Sequence, residues 1–225
     1  MKKLLLLSLY CLFFGCTTEE YESGDGELSY LRADFVMAYA DAQKKISTAI
    51  TDEGEQLALR KSLTPKWAEK GDSTYRALLY YNKVENMADV VSVNTVLVPS
   101  IRKRSDDKPE EVKEDPVKVI GVWKSANGRY LNLDLELMTG KDDGEVVSQM
   151  VGIYCDSIST DESGVQHAIL SLYHNQNNCP EYYAAEVFLS IPLARIPCLL
   201  KPGDDVSLRI NTYSGPWQRT FTIAP

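Results

Sequence analysis

The chain has 225 residues, 44% of them hydrophobic, and a formal net charge of −8. That length admits one large β-domain or two small ones, and the apolar content suffices for a core, which excludes a disordered chain. The negative charge argues against nucleic acid and anionic lipid surfaces as partners, because both repel it.

Residues 1–15 read as a signal peptide. Lys2 and Lys3 make a cationic start, and the apolar run over 4–14 is broken only by Ser8. The run is too short to stay in a bilayer as a spanning helix. Gly15-Cys16, followed at once by the polar Thr17-Thr18-Glu19-Glu20, resembles a bacterial lipobox. In that class the Cys thiol is diacylated, the leader is cut before it, and the new amine is acylated. Phe13 and Phe14 depart from the pattern, which prefers Leu and a small residue there. Cys16 is therefore the expected lipidation site, and several acyl chains on one residue hold a protein stably on a membrane. Residues 16–27 read as the lipidated tether. Glu19, Glu20 and Glu22 resemble an export signal for the outer face of the outer membrane. An ordinary solvated tether has the same composition, so the face is left open.

Residues 28–101 read as five strands: 28–41, 44–52, 56–63, 73–83 and 89–101. Asp52-Glu53-Gly54 is a hairpin signal, and 65–71, with Trp67, is an irregular connector. In 73–83, Tyr75, Leu79 and Tyr81 share one face, and Leu78 and Tyr80 share the other. The count suits a small OB-like barrel or a meander. Residues 102–115 read as an exposed linker or long loop, Arg102-Lys103-Arg104 running into Asp and Glu with little apolar content. The acidic neighbours and export weigh against a nucleic-acid role for the triplet.

Residues 116–225 read as strands throughout: 117–124, 129–138, 146–158, 166–174, 182–191, 205–213 and 217–223. In 129–138 the alternation puts Leu131, Leu133, Leu135 and Leu137 inward, and Tyr130, Asn132, Asp134 and Glu136 outward. Asn127-Gly128, 140–145, 161–164, 175–180, 201–205 and 214–216 carry turn chemistry. Seven strands so punctuated suggest a two-sheet sandwich.

The chain resembles the NigD-like lipoproteins of anaerobic Gram-negative bacteria. The resemblance rests on Gly15-Cys16, on segment 70–82 (Lys-Gly-Asp-Ser-Thr-Tyr-Arg-Ala-Leu-Leu-Tyr-Tyr-Asn), and on Asp115-Pro116 leading to Trp123 and Tyr130-Leu-Asn-Leu133. It implies an all-β protein with an N-terminal OB-like five-stranded barrel and a C-terminal seven-stranded β-sandwich. The family name comes from a proposed role beside a bacteriocin, as an immunity protein. These motifs are structural, so no catalytic residue carries over.

Chemistry is sparse. There is no G-x-S-x-G. His167 and His174 lie seven apart, on opposite faces of one strand. His174 with Cys179 could make a loop metal site, but the Asn-rich turn explains those residues without one. Asp142-Asp143 and Asp204-Asp205 adjoin Gly in turns, without an EF-hand ligand pattern or a cleft for paired carboxylates. We expect no enzyme, no cofactor and no metal. With Cys11 lost in the leader and Cys16 lipidated, Cys155, Cys179 and Cys198 remain, either as one disulfide with one over or as three buried thiols. The candidate ligand-facing aromatics are Tyr80, Tyr81, Trp123, Tyr182, Tyr183 and Trp217. Neighbours on a strand point oppositely, so one of each Tyr pair should be buried. The expectation is an outer-membrane lipoprotein, held by lipid on Cys16, that acts as a binding or interaction module. Its partner is an unknown envelope protein, with an immunity-like role implied by the resemblance, or alternatively a surface glycan. A hydrolase stands further back.

Overall fold

The computed structural model describes residues 31–85, 87–104, 112–142 and 144–224. The leader, Cys16 and the tether 16–27 lie outside the described residues.

Five strands form the first body: β1 (Leu31–Ala40), β2 (Ile46–Thr51), β3 (Gln56–Leu63), β4 (Ser73–Val84) and β5 (Met87–Thr95). They close in the order β1-β2-β3-β5-β4, with β4 returning to β1. Gly54, at φ +86°, turns β2 into β3, as the Asp-Glu-Gly signal predicts. β3 and β5 meet in parallel, Ala58 beside Met87, so the body is the OB-like closed barrel and not a meander. A small barrel has little interior room, and small side chains fill much of it: Val36, Ala38, Ala49, Ala77 and Ala88, with Leu57 and Leu79.

The second body contains β6 (Ile101–Lys103), β7 (Lys118–Lys124), β8 (Tyr130–Thr139), β9 (Lys141–Asp142), β10 (Glu145–Val146), β11 (Met150–Thr160), β12 (Gln166–Asn175), β13 (Tyr183–Pro192), β14 (Asp205–Thr212) and β15 (Gly215–Thr222). One sheet runs β15-β14-β12-β11-β6 and the facing one β13-β8-β7, while β9 and β10 pair as a separate two-stranded ribbon. Leu131, Leu133, Leu135 and Leu137 are all buried, as the alternation predicts, against Leu170, Leu172, Leu189, Ile191, Val206 and Leu208. Each buried leucine removes enough apolar surface to stabilise by about 2 kcal/mol.

Three details differ from the sequence reading. Ile101, expected to end the barrel's last strand, belongs to β6, which joins β11 in parallel and adds an eighth strand to the seven expected. Three residues with two exposed bases carry no period to detect. The described parts of 102–115, expected as linker or long loop, are also paired. His174 N–H donates to Lys113 O, and Asp115 N–H donates to His174 O.

The third difference positions the site. Asn132 and Asp134, expected to face solvent, lie on a β8 face that the barrel partly covers, and Asn132 is completely buried. β4 explains why. Its odd residues Ala77, Leu79 and Tyr81 enter the barrel interior, while Leu78 and Tyr80 pack with Phe35, Val96 and the sandwich residue Phe188. A strand apolar on both faces needs cover on both. Leu97 completes the seam, its N–H donating to Phe188 O at 2.9 Å and its carbonyl accepting from Ser190 N–H at 2.8 Å.

Candidate functional site

Arg76, in the middle of β4, points from the barrel into the sandwich and is 4% exposed. Its two Nη atoms fork onto Asp52, donating to Oδ1 and Oδ2 at 2.7 Å each. Nε donates to Ser190 Oγ at 3.0 Å, and Nη2 also donates to Asn132 Oδ1 at 3.2 Å. Ser190 Oγ donates to Asn132 Oδ1 and Asn132 Nδ2 donates to Asp52 Oδ2, so the cluster is closed on itself. The guanidinium lies over the Tyr130 ring at 4.2 Å and near the Phe35 ring at 5.3 Å. A buried charge is tolerable when paired and hydrogen-bonded in this way. Its one hydroxyl, Ser190 Oγ, is buried and spent on Arg76 and Asn132; what the clamp does is hold the barrel to the sandwich.

Beside the clamp the seam opens into a groove of about 530 Å³. The barrel contributes Asp34, Phe35 and Tyr80; the sandwich contributes Trp123, Asp134, Glu186 and Phe188. Phe35 meets Trp123 edge to face at 5.4 Å and Phe188 at 5.9 Å, which fixes the aromatic wall. On β13 and β8, Glu186, Phe188 and Ser190 pair across from Glu136, Asp134 and Asn132. The same two strand faces therefore run from the buried clamp to open carboxylates. Asp134 Oδ1 is buried and has no hydrogen-bond partner. Burial, then Glu186 and Glu136, push the Asp134 carboxyl above its ordinary range. Burial, then the same Glu186 and Asp134, raise the Tyr80 phenol. Asp34 is already engaged, accepting from Tyr81 OH at 2.8 Å and pairing with Arg32 at 3.2 Å.

The six aromatics singled out from sequence do not form one row. Tyr80 and Trp123 both line the groove. Tyr81 is wholly buried in the barrel, where burial and its bond to Asp34 push its phenol far up. Tyr182 and Tyr183 are both exposed, at 75% and 51%, because only Tyr183 has entered β13 and Tyr182 precedes it. Trp217 packs on the sandwich core and lines a second hollow of about 490 Å³ with Arg104, Asp156, Ser171, Arg209 and Gln218. There the polar groups satisfy one another. Arg104 donates to Asp156, Ser171 and Glu114, and Arg209 donates to Gln218.

The histidines and the Asp204 turn singled out from sequence are engaged locally. His174 is buried, Nδ1 beside Asp115 O and Nε2 beside Gln149 Oε1, while His167 on the other face of β12 is partly exposed near Asp161 and Asp205. Asp204 accepts from Gln166 N–H and Lys201 N–H, a turn role that depresses its pKa. Cys155, Cys179 and Cys198 are all free thiols. Among the described residues, no three His, Cys, Asp or Glu gather as metal ligands.

The clamp is the feature that sequence reasoning missed. Asp52 reads as a turn residue and Asn132 as an outward one. The available signal was Arg76 itself, a lone charge in the middle of an apolar strand.

Residues 100–223 match the family described as the NigD-like C-terminal beta sandwich domain. No curated protein matches the sequence. Among solved structures, a NigD-like immunity protein from Bacteroides caccae superposes with a TM-score of 0.63 at 22% identity, covering 85% of this chain and 97% of its own. A Bacteroides fragilis protein with a provisional lipoprotein label superposes with a TM-score of 0.61 at 12% identity, over 87% and 98%. A protein of unknown function from Bacteroides vulgatus gives 0.62 at 15%, over 85% and 90%.

Proposed function

Because the chain belongs to the NigD-like β-sandwich family, we propose that it is a lipid-anchored, non-enzymatic binding module of the cell envelope, which takes a protein partner in the seam groove. The observation that carries this reading is the groove. Its walls come from both bodies, one of its rings, Trp123, is 38% exposed, and the Oδ1 of its Asp134 lacks a partner. The clamp below holds both walls in place before any partner arrives, and a preformed site loses less entropy on binding. The lipobox-like Gly15-Cys16 and the lipoprotein label of one structural relative support anchoring in the envelope. The immunity name of another supports protection against a toxic protein or peptide as the biological setting. A glycan-binding role is the second reading, favoured by Trp217 beside Arg209, Asn211 and Gln218. It is weaker because that hollow's polar groups are already paired to each other.

The test is site-resolved crosslinking in intact cells. A benzophenone side chain is placed at Ala126 on the groove rim, or at Glu162 on a remote exposed turn. One protein captured from Ala126 and not from Glu162 is the expected result. Glycan or nothing at Ala126, or equal capture from both sites, would overturn the reading. In the same strain, Cys16→Ala should move the chain from the membrane to the soluble fraction. Unchanged membrane association would remove the anchor.

A further inference from the structure

We propose that the seam groove is a receptor for a positively charged side chain, an arginine or lysine presented by the partner polypeptide. The proposal rests on the groove being the binding site, and it adds the chemistry of what enters.

The protein's own clamp shows how these surfaces hold a cation. Arg76 is gripped by one carboxylate, Asp52, and by two rings, Tyr130 and Phe35. Further along the same strands the elements recur: Asp134 lies two residues from Asn132 on the same face, and Phe188 and Glu186 lie two and four residues from Ser190. Phe35 is common to both places, touching Arg76 in the clamp and Trp123 and Phe188 in the groove. Of the groove's carboxylates, Asp34 is paired to Arg32 and Asp52 to Arg76, and these cations of the chain are spent in this way. Arg32 is committed to Asp34 and Glu55, and Lys118 to Glu136. Lys124, on the rim, donates to Thr222 O at 2.8 Å. Among the described residues, Asp134, Glu186 and Glu53 have no ion pair.

The physical chemistry selects the occupant. Aromatic rings present a negative face, so Tyr80 and Trp123 favour a cation over a neutral or anionic group. Asp134 is partly buried against the aromatic wall, its Oδ1 without a partner, and the exposed Glu186 beside it repels its charge. An entering guanidinium or ammonium relieves the repulsion and supplies donors where they are lacking. An anionic or uncharged ligand does neither. The volume of about 530 Å³ is ample for one long basic side chain and its flanking backbone.

The probe is the peptide acetyl-Gly-Arg-Arg-Gly-amide, titrated into the chain from residue 17 onward, which keeps every described element. Its neutral isostere, with citrulline in place of both arginines, is the control. Nuclear magnetic resonance reads the Trp123 indole and the backbone amides of Tyr80 and Glu186. The arginine peptide is expected to shift these signals at low salt and to weaken as salt rises, and the citrulline peptide to leave them unmoved. Asp134→Asn with Glu186→Gln should weaken binding by about tenfold or more, whereas Glu162→Gln, a remote exposed acid, should not. The proposal falls if about 10 mM arginine peptide leaves the groove signals unmoved. It also falls if citrulline binds equally, or if Glu162→Gln weakens binding as much as the groove variants, which would mean unspecific attraction to a negative protein. The crosslinking outcome is separate. A partner captured at Ala126 without arginine binding retains the module and discards this chemistry; arginine binding without a partner does the reverse.

Discussion

Asp134 shows how much one residue's setting can differ from its sequence reading. In the alternating run 130–137 it is indistinguishable from any outward polar residue. Its neighbours are set by register instead: Phe188 lies opposite, Glu186 is diagonal, and the barrel residue Tyr80 stands over them. Burial first, and then Glu186 and Glu136, raise its pKa, so the folded protein binds that proton more readily than the unfolded chain does. The sign follows from linkage. Above the raised pKa the ionised carboxylate lowers stability. The cost shrinks as pH falls through the raised value, and it vanishes below the ordinary carboxylate range. Asp134→Asn, which mimics the protonated form, should therefore melt higher than the parent at neutral pH. The gap should close on acidification toward pH 3 or so, where Asp is largely protonated in either state. Thermal unfolding followed by circular dichroism across that range checks this. A gap that widens toward acid would contradict the assigned cause.

Element by element, much of the fold is legible, because period two is a strong signal over strands of eight to twelve residues such as β3, β4, β8 and β12. What is not legible is which polar face meets another body. β8 hides half of its polar face beneath the barrel, and β6 is too short for any pattern to show. The segment 70–82, which carries the family resemblance, has a physical account. Arg76 supplies the clamp, Tyr81 fills the barrel, and Gly71 allows a close approach between two loops. A Cβ at Gly71 would lie 2.7 Å from Ala42 O and 3.0 Å from Ala42 Cα, and both atoms are backbone. Gly71→Ala should thus lower stability by about 1–3 kcal/mol, measured by denaturant titration, because neither loop can give way by rotating a side chain. Ala42→Gly should not rescue it, since the clash is with the main chain. A neutral Gly71→Ala would show that the approach relaxes freely.

At the scale of the molecule, the groove exists only where two bodies meet. Tyr80 and Trp123 can both be singled out from sequence as aromatics. Their convergence cannot, because it depends on the docking of β4 against the β13-β8-β7 sheet. The docking in turn depends on a closed polar cluster whose four principal members, Asp52, Arg76, Asn132 and Ser190, come from four different strands or turns. Arg76→Met would leave Asp52 buried without its counter-charge. Breaking a buried pair in this way costs about 3–5 kcal/mol, a large part of the roughly 5–15 kcal/mol that holds a domain together. Adding Asp52→Leu should recover much of that loss, since no buried charge then remains. Urea unfolding of the single and double variants distinguishes the outcomes. A single variant as stable as the parent would mean that the bodies are held by the apolar seam of Phe35, Leu78, Val96 and Phe188 alone.

The long pairing of β1 with β4 has a mechanical consequence. Under the proposed anchoring and binding, tension from the membrane side would reach β1 at its N-terminal end, Leu31, while a partner's pull on the groove's sandwich wall would be passed to β4 by the clamp at Arg76. Leu31 pairs with Asn82, and Met37 with Arg76. The pull would then run along the strands, and the rungs between those two pairs would be loaded together in shear instead of being peeled one by one. An envelope protein that must hold a captured molecule against outward drag is better served by this loading geometry, since rungs that share a force resist far more of it than rungs opened in sequence.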